Sequence, residues 1–103
     1  MEISIYKDFN LSEYITQINE YIHWLGGDCK DELIHYFNRE MTFIDERADN
    51  EWYETLEIYR VSIKITQNKI LVADITCGDN ILLDHILEVE IEGNEIFSMN
   101  YDG

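Results

Sequence analysis

Residues 59–66 read YRVSIKIT, with Tyr59, Val61, Ile63 and Ile65 alternating with Arg60, Ser62, Lys64 and Thr66. A period of two with β-branched residues on one phase predicts a half-buried strand. Leu56 and Ile58 fall on the opposite phase, which calls for a bulge near Ile58-Tyr59 or an early stretch buried on both faces. Working outward, Gln67-Asn68 or Asn68-Lys69 supplies a tight turn into a second strand, Ile70 to Cys77, and Gly78-Asp79-Asn80 supplies the next turn. A third strand runs through Leu87, Val89 and Ile91, Gly93-Asn94 makes a two-residue turn, and a fourth strand covers Ile96 to Tyr101. Glycine first in such a loop suits a type II′ hairpin. The C-terminal half therefore reads as an antiparallel meander.

On the N-terminal side the period changes to that of a helix. Leu11, Tyr14, Ile15, Ile18, Tyr21, Ile22 and Leu25 share one face; Asn10 is a suitable N-cap, Glu13 is placed for a capping box, and Gly26-Gly27 supplies the stop. A second helix begins at Asp28, with Asp31 and Glu32 in its first turn and Leu33, Ile34, Phe37 and Met41 at helical spacing. Ile3 and Ile5 alternate weakly, enough for a short extra N-terminal strand. Thr42–Glu51 loses periodicity and gathers charge, as one long connection would. The expected fold is α+β: one domain over residues 1–103, two N-terminal helices packed on a four-stranded antiparallel meander sheet, with the extra strand added where Ile3 and Ile5 pair.

Composition narrows the partners. The chain has 103 residues, 46% hydrophobic and 13% aromatic, with a formal net charge of −15. That hydrophobic content separates it from the disordered class despite the acidity. No apolar run reaches the roughly 20 residues of a membrane span, and no basic-then-apolar leader opens the chain, so a soluble, cytoplasmic protein is expected. Direct binding of nucleic acid or of an anionic membrane needs basic patches that this chain lacks.

The charge is uneven. Residues 1–69 hold fourteen carboxylates against all seven cations, whereas the last 34 residues hold eight carboxylates and no Lys or Arg. Glu88, Glu90 and Glu92 alternate with apolar residues, so they project from one face at intervals of about 6.8 Å. Counting from the turn, Glu92 faces Glu95, Ile91 faces Ile96, Glu90 faces Phe97 and Glu88 faces Met99. In that register the four glutamates share a face with Phe97, Met99 and Tyr101, a docking surface on which carboxylates steer a basic protein and the aromatic and thioether groups form its packed centre. Two other arrangements are open to the sequence: Phe97, Met99 and Tyr101 sit under the helices while the glutamates ring the sheet edge, or the register differs by one residue. Asp45, Glu46, Asp49 and Glu51 would extend the negative field from the long connection, and Trp52-Tyr53 either anchors that segment in the core or caps the binding face.

Other chemistry is weakly written. The acidic connection does not match a calcium loop and lacks its glycine. His23, His35 and His85 with Cys29 and Cys77 are the raw material for a metal site or a nucleophile–base pair, but no metal-ligand or hydrolase spacing is present. Cys29 at a helix start, where a thiolate is stabilised, keeps a small cysteine- or metal-dependent enzyme as one alternative. Two reduced thiols, no cofactor and no metal are the expectation.

The segment Trp52 to Gly103, with ITCGDNILLDHILEVEIEGNEIF at its centre, resembles small acidic bacterial proteins, among them immunity proteins of polymorphic or contact-dependent toxin systems. The likeness lies in size, acidity and strand pattern and carries no motif residue across. It implies a one-to-one complex with a basic toxin domain, usually a nuclease, whose active site or substrate groove the acidic face occludes. The expected function is thus a non-enzymatic binding protein, monomeric or weakly dimeric, that neutralises a basic protein. Its rival is a decoy that mimics nucleic acid, although glutamates at about 6.8 Å spacing supply only about a quarter of the linear charge density of duplex DNA.

Overall fold

The computed structural model describes Met1–Asp102. Its elements are β1 (Glu2–Ile5), α1 (Ile15–Gly26), α2 (Cys29–Glu40), α3 (Asn50–Glu54), β2 (Glu57–Ile65), β3 (Leu71–Gly78), β4 (Ile86–Glu92) and β5 (Glu95–Asp102). The strands form one mixed sheet in the order β1-β2-β3-β4-β5. β2 to β5 are the antiparallel meander that the alternation predicts. β1 adds the extra strand, and it runs parallel to β2, with Ile3 opposite Ile63 and Ile5 opposite Ile65. The parallel sense follows from the connection, because the whole helical segment lies between β1 and β2 and returns the chain to its starting end.

Irregularities set the register. Between Ile58 and Arg60 the β2–β3 ladder skips Tyr59, the bulge expected from the phase break. Gly93 takes φ 60° while Asn94 does not enter the left-handed region, as the first position of a type II′ turn requires. At the β2–β3 turn Lys69 adopts φ 65°, a conformation that usually falls to glycine or asparagine, and its N–H closes the turn on Thr66 O at 2.9 Å.

The helices begin later than the periodicity suggests. Asn10 caps a single 3₁₀ turn, Leu11–Glu13, by accepting from Ser12 N at 3.1 Å, and Glu13 donates its N–H to Asn10 O instead of closing a capping box. The α-helix proper starts after Tyr14. The expected long connection, Thr42–Glu51, runs at its end into a short helix, α3. Asp49 caps it by accepting from Trp52 N at 2.9 Å, and Asn38 of α2 clamps Ala48 through both its N–H (2.7 Å) and its C=O (3.0 Å). These bonds deliver Trp52 into the core against Phe37, with ring centroids 5.0 Å apart.

The helices cover one face of the sheet. Inward-facing Ile63, Ala73, Cys77, Leu87, Val89 and Met99 join Phe37, Leu33 and Trp52 in a single core. The alternation along each strand leaves the other face mainly to polar residues, with Val72 and Ile86 among them, and among the described residues no helix packs on it. No helix is long and apolar enough to cross a membrane.

Candidate functional site

The uncovered face is built from the outward positions of five strands, and its charge is sorted from one edge to the other. At the β1–β2 edge Glu2 accepts from Arg60 Nη2 at 2.9 Å, and the guanidinium holds the Glu2 carboxyl below its ordinary value. Lys64 shares this side. Across β3, β4 and β5 the outward positions include Asp74, Glu88, Glu90, Glu92, Glu95 and Asp102, and no Lys or Arg lies on these strands.

Register places some of these carboxylates directly against each other. Asp74 of β3 is opposite Glu90 of β4, and Glu92 is opposite Glu95 across the hairpin. Side chains so paired sit about 5 Å apart, and two unit charges at that distance repel by roughly 0.8 kcal/mol in water. None of the six forms an ion pair. Glu88 takes only a long hydrogen bond from Asn100 Nδ2, at 3.5 Å.

The register expected for the outer part of β5 is corrected here. The pairs Glu92–Glu95 and Ile91–Ile96 stand, but a bulge then skips Phe97, so Glu90 faces Ser98 and Glu88 faces Asn100. Met99 is opposite Val89 and only 7% exposed, and Tyr101 is opposite Leu87. Both lie on the core face under the helices, and the glutamates share their own face with Ser98 and Asn100. The bulge satisfies the core, because it turns Ile96, Met99 and Tyr101 inward together. Phe97 remains 65% exposed and lines a shallow depression with Glu92, Glu95 and Ile96. Its carbonyl accepts from Tyr36 OH at 3.4 Å.

The second acidic group does not extend this face. Asp45 and Glu46 line a depression with Phe37 and Met41 of the helical layer, Asp49 is spent on its cap, and Glu51 is in the first turn of α3. Trp52 is an anchor, 2% exposed.

A buried carboxylate missed by the sequence reading lies beneath. Asp79, 7% exposed, accepts from Trp52 Nε1 at 2.9 Å and from Tyr101 OH through Oδ2, and from Ile81 N and Leu82 N, both at 3.1 Å, through Oδ1. It joins α3, the β3–β4 connection and β5. Burial, and then the hydrogen bond to Asp79, push the Tyr101 hydroxyl above the ordinary tyrosine range.

The cysteines are closed off. Cys29 opens α2, yet it is wholly buried, and burial followed by the Glu32 charge pushes its thiol up to about 12; burial and the Asp79 charge do the same to Cys77. The helix-start stabilisation expected for a Cys29 thiolate is outweighed by desolvation. Both thiols should therefore react with an aromatic disulfide reagent at pH 8 no faster than the protein unfolds, and instantly in urea; fast native labelling would refute this. Because both values are raised in the fold, their contribution to stability is complete below about pH 9 and lost as pH rises toward 12. No group of His, Cys, Asp and Glu among the described residues is arranged to hold a metal ion. The apolar cavity of about 260 Å³ under Leu56 and Ile58, floored by Ile75, Cys77 and Val89, offers a single titratable carboxylate, Glu54, at its wall.

No family model, curated protein or solved structure matches this chain.

Proposed function

We propose that the chain is a non-enzymatic binding protein that neutralises a basic protein partner, as the immunity partner of a toxin domain. The observation that carries this reading is the two opposed carboxylate pairs, Asp74–Glu90 and Glu92–Glu95, on the part of the open face formed by β3, β4 and β5, which carry no Lys or Arg. Like charges placed directly across a ladder cost stability, and a partner's Lys and Arg would turn that cost into attraction. Glu88, Glu90, Glu92 and Glu95 are the contacting carboxylates, with Phe97 at the hairpin edge as an exposed apolar contact. Met99 and Tyr101 support the face from below and take no part in contact.

The arrangement favours a protein over the role of a nucleic-acid decoy. Only β4 carries a continuous row of carboxylates. β3 contributes Asp74 alone, and β5 carries Glu95 and Asp102 at its two ends, which leaves the face well below the one charge per roughly 1.7 Å of duplex DNA.

The immobilised protein should retain one basic partner from its source cells at low salt and release it at high salt, and co-expression should rescue cells from that partner's toxicity. Retention of many unrelated DNA-binding proteins, competed by DNA, would favour the decoy. Absence of any salt-sensitive basic partner would remove both.

A further inference from the structure

Gly78 is the last residue of β3, and its backbone is not in the left-handed region. Glycine in a strand weakens it and needs a reason. The reason is Tyr59. The bulge in β2 turns this side chain over Gly78, so that a Cβ there would lie 2.5 Å from the Tyr59 hydroxyl, 3.2 Å from Cζ and 3.3 Å from Cε2. Gly78 continues the outward phase of Asp74 and Thr76, so the phenol end of Tyr59 rests on the open face. The residue is 57% exposed.

Its surroundings are acidic. Glu57 is the ladder partner of Gly78, and Glu88 pairs with Thr76 at the next outward position. The one neighbouring cation, Arg60, is turned away to Glu2. Two other tyrosines carry a cation of the chain itself: Arg39 lies 5.4 Å over Tyr36 and Lys30 lies 5.8 Å over Tyr53. Among the described residues Tyr59 has no such cation. Ile86, 41% exposed on the outward phase of β4, adds apolar surface at the same end of the sheet.

We infer that Tyr59 on its Gly78 bed is the seat for an arginine side chain of the basic partner. The guanidinium stacks on the exposed ring and reaches Glu57 and Glu88 with its N–H groups. This rests on the basic-partner reading and adds a residue type and a place. Arginine is favoured over lysine because its planar, weakly hydrated cation stacks on an aromatic face and still offers several donors to carboxylates. The glycine gives the ring its place on the sheet, as an aromatic laid over a strand glycine does elsewhere.

The test compares hexa-arginine and hexa-lysine peptides of equal charge, titrated at low salt into the wild type and into Tyr59→Leu, Tyr59→Phe and Gly78→Ala, each checked for a native melt. The wild type should prefer arginine by about threefold to tenfold. Tyr59→Phe should keep the preference. Tyr59→Leu should abolish it while leaving lysine-peptide affinity within about twofold. In Gly78→Ala the intruding Cβ meets the free end of a flexible side chain, so the protein should fold while the displaced ring loses the preference. Equal binding of the two peptides by the wild type, or an arginine preference that survives Tyr59→Leu, would overturn the stacking site and leave the acidic face standing. Binding of neither peptide would overturn both.

Discussion

Asp79→Ala should lower the unfolding free energy by about 3–5 kcal/mol, because it strands the Trp52 indole N–H and the Tyr101 hydroxyl at roughly 1–3 kcal/mol each and releases the Ile81 and Leu82 amides. That would be a large share of the stability of a typical domain. Removing a partner along with the carboxylate tests the cause. In an Asp79→Ala/Tyr101→Phe double variant no hydroxyl is left unpaired, so the combined loss should be smaller than the sum of the two single losses. Urea denaturation of the four proteins measures both quantities. A loss under about 1 kcal/mol for Asp79→Ala would mean that water replaces the carboxylate readily and that the hub is not structural.

This hub shows where the sequence stops being informative. Gly78-Asp79-Asn80 is legible as a turn, because Asp and Asn favour such positions. Nothing local says that the carboxylate is buried under Trp52, whose approach depends on the Asp49 cap and the Asn38 clamp. The strands are a different case. Val61, Ile63 and Ile65 announce their face, and the phase break at Ile58-Tyr59 locates a bulge that the ladder contains. The same signal stands in β5, where Ile96 is out of phase with Met99 and Tyr101 while Ser98 and Asn100 supply the polar alternation. Counting register from the turn holds only as far as the first irregularity, and it placed Met99 and Tyr101 on the wrong face. The parallel sense of β1 depends on how the helices cross the sheet, which no short pattern encodes.

Replacing Glu88, Glu90 and Glu92 together with glutamine should move stability and binding in opposite directions. The substitution removes two repulsions along β4 at about 6.8 Å and two across strands at about 5 Å, against Asp74 and Glu95. After screening, the gain should be roughly 1–2 kcal/mol at low ionic strength, shrinking as salt is added. Outward-facing glutamates that existed only to satisfy the fold would give the reverse sign. Affinity for the basic partner should fall on the order of tenfold to hundredfold, mostly through slower association, since three of the six outward carboxylates of β3 to β5 are lost and only Asp74, Glu95 and Asp102 remain to steer. Lysine at the same positions should deepen the loss through direct repulsion. The two measurements fail separately. A variant that melts no higher than the wild type would show that the opposed carboxylates carry no strain in solution, and one that binds as tightly would take the partner off this face. Both results as expected would identify the acidity of β4 as a stability cost retained for binding, since no fold made of these strands requires it.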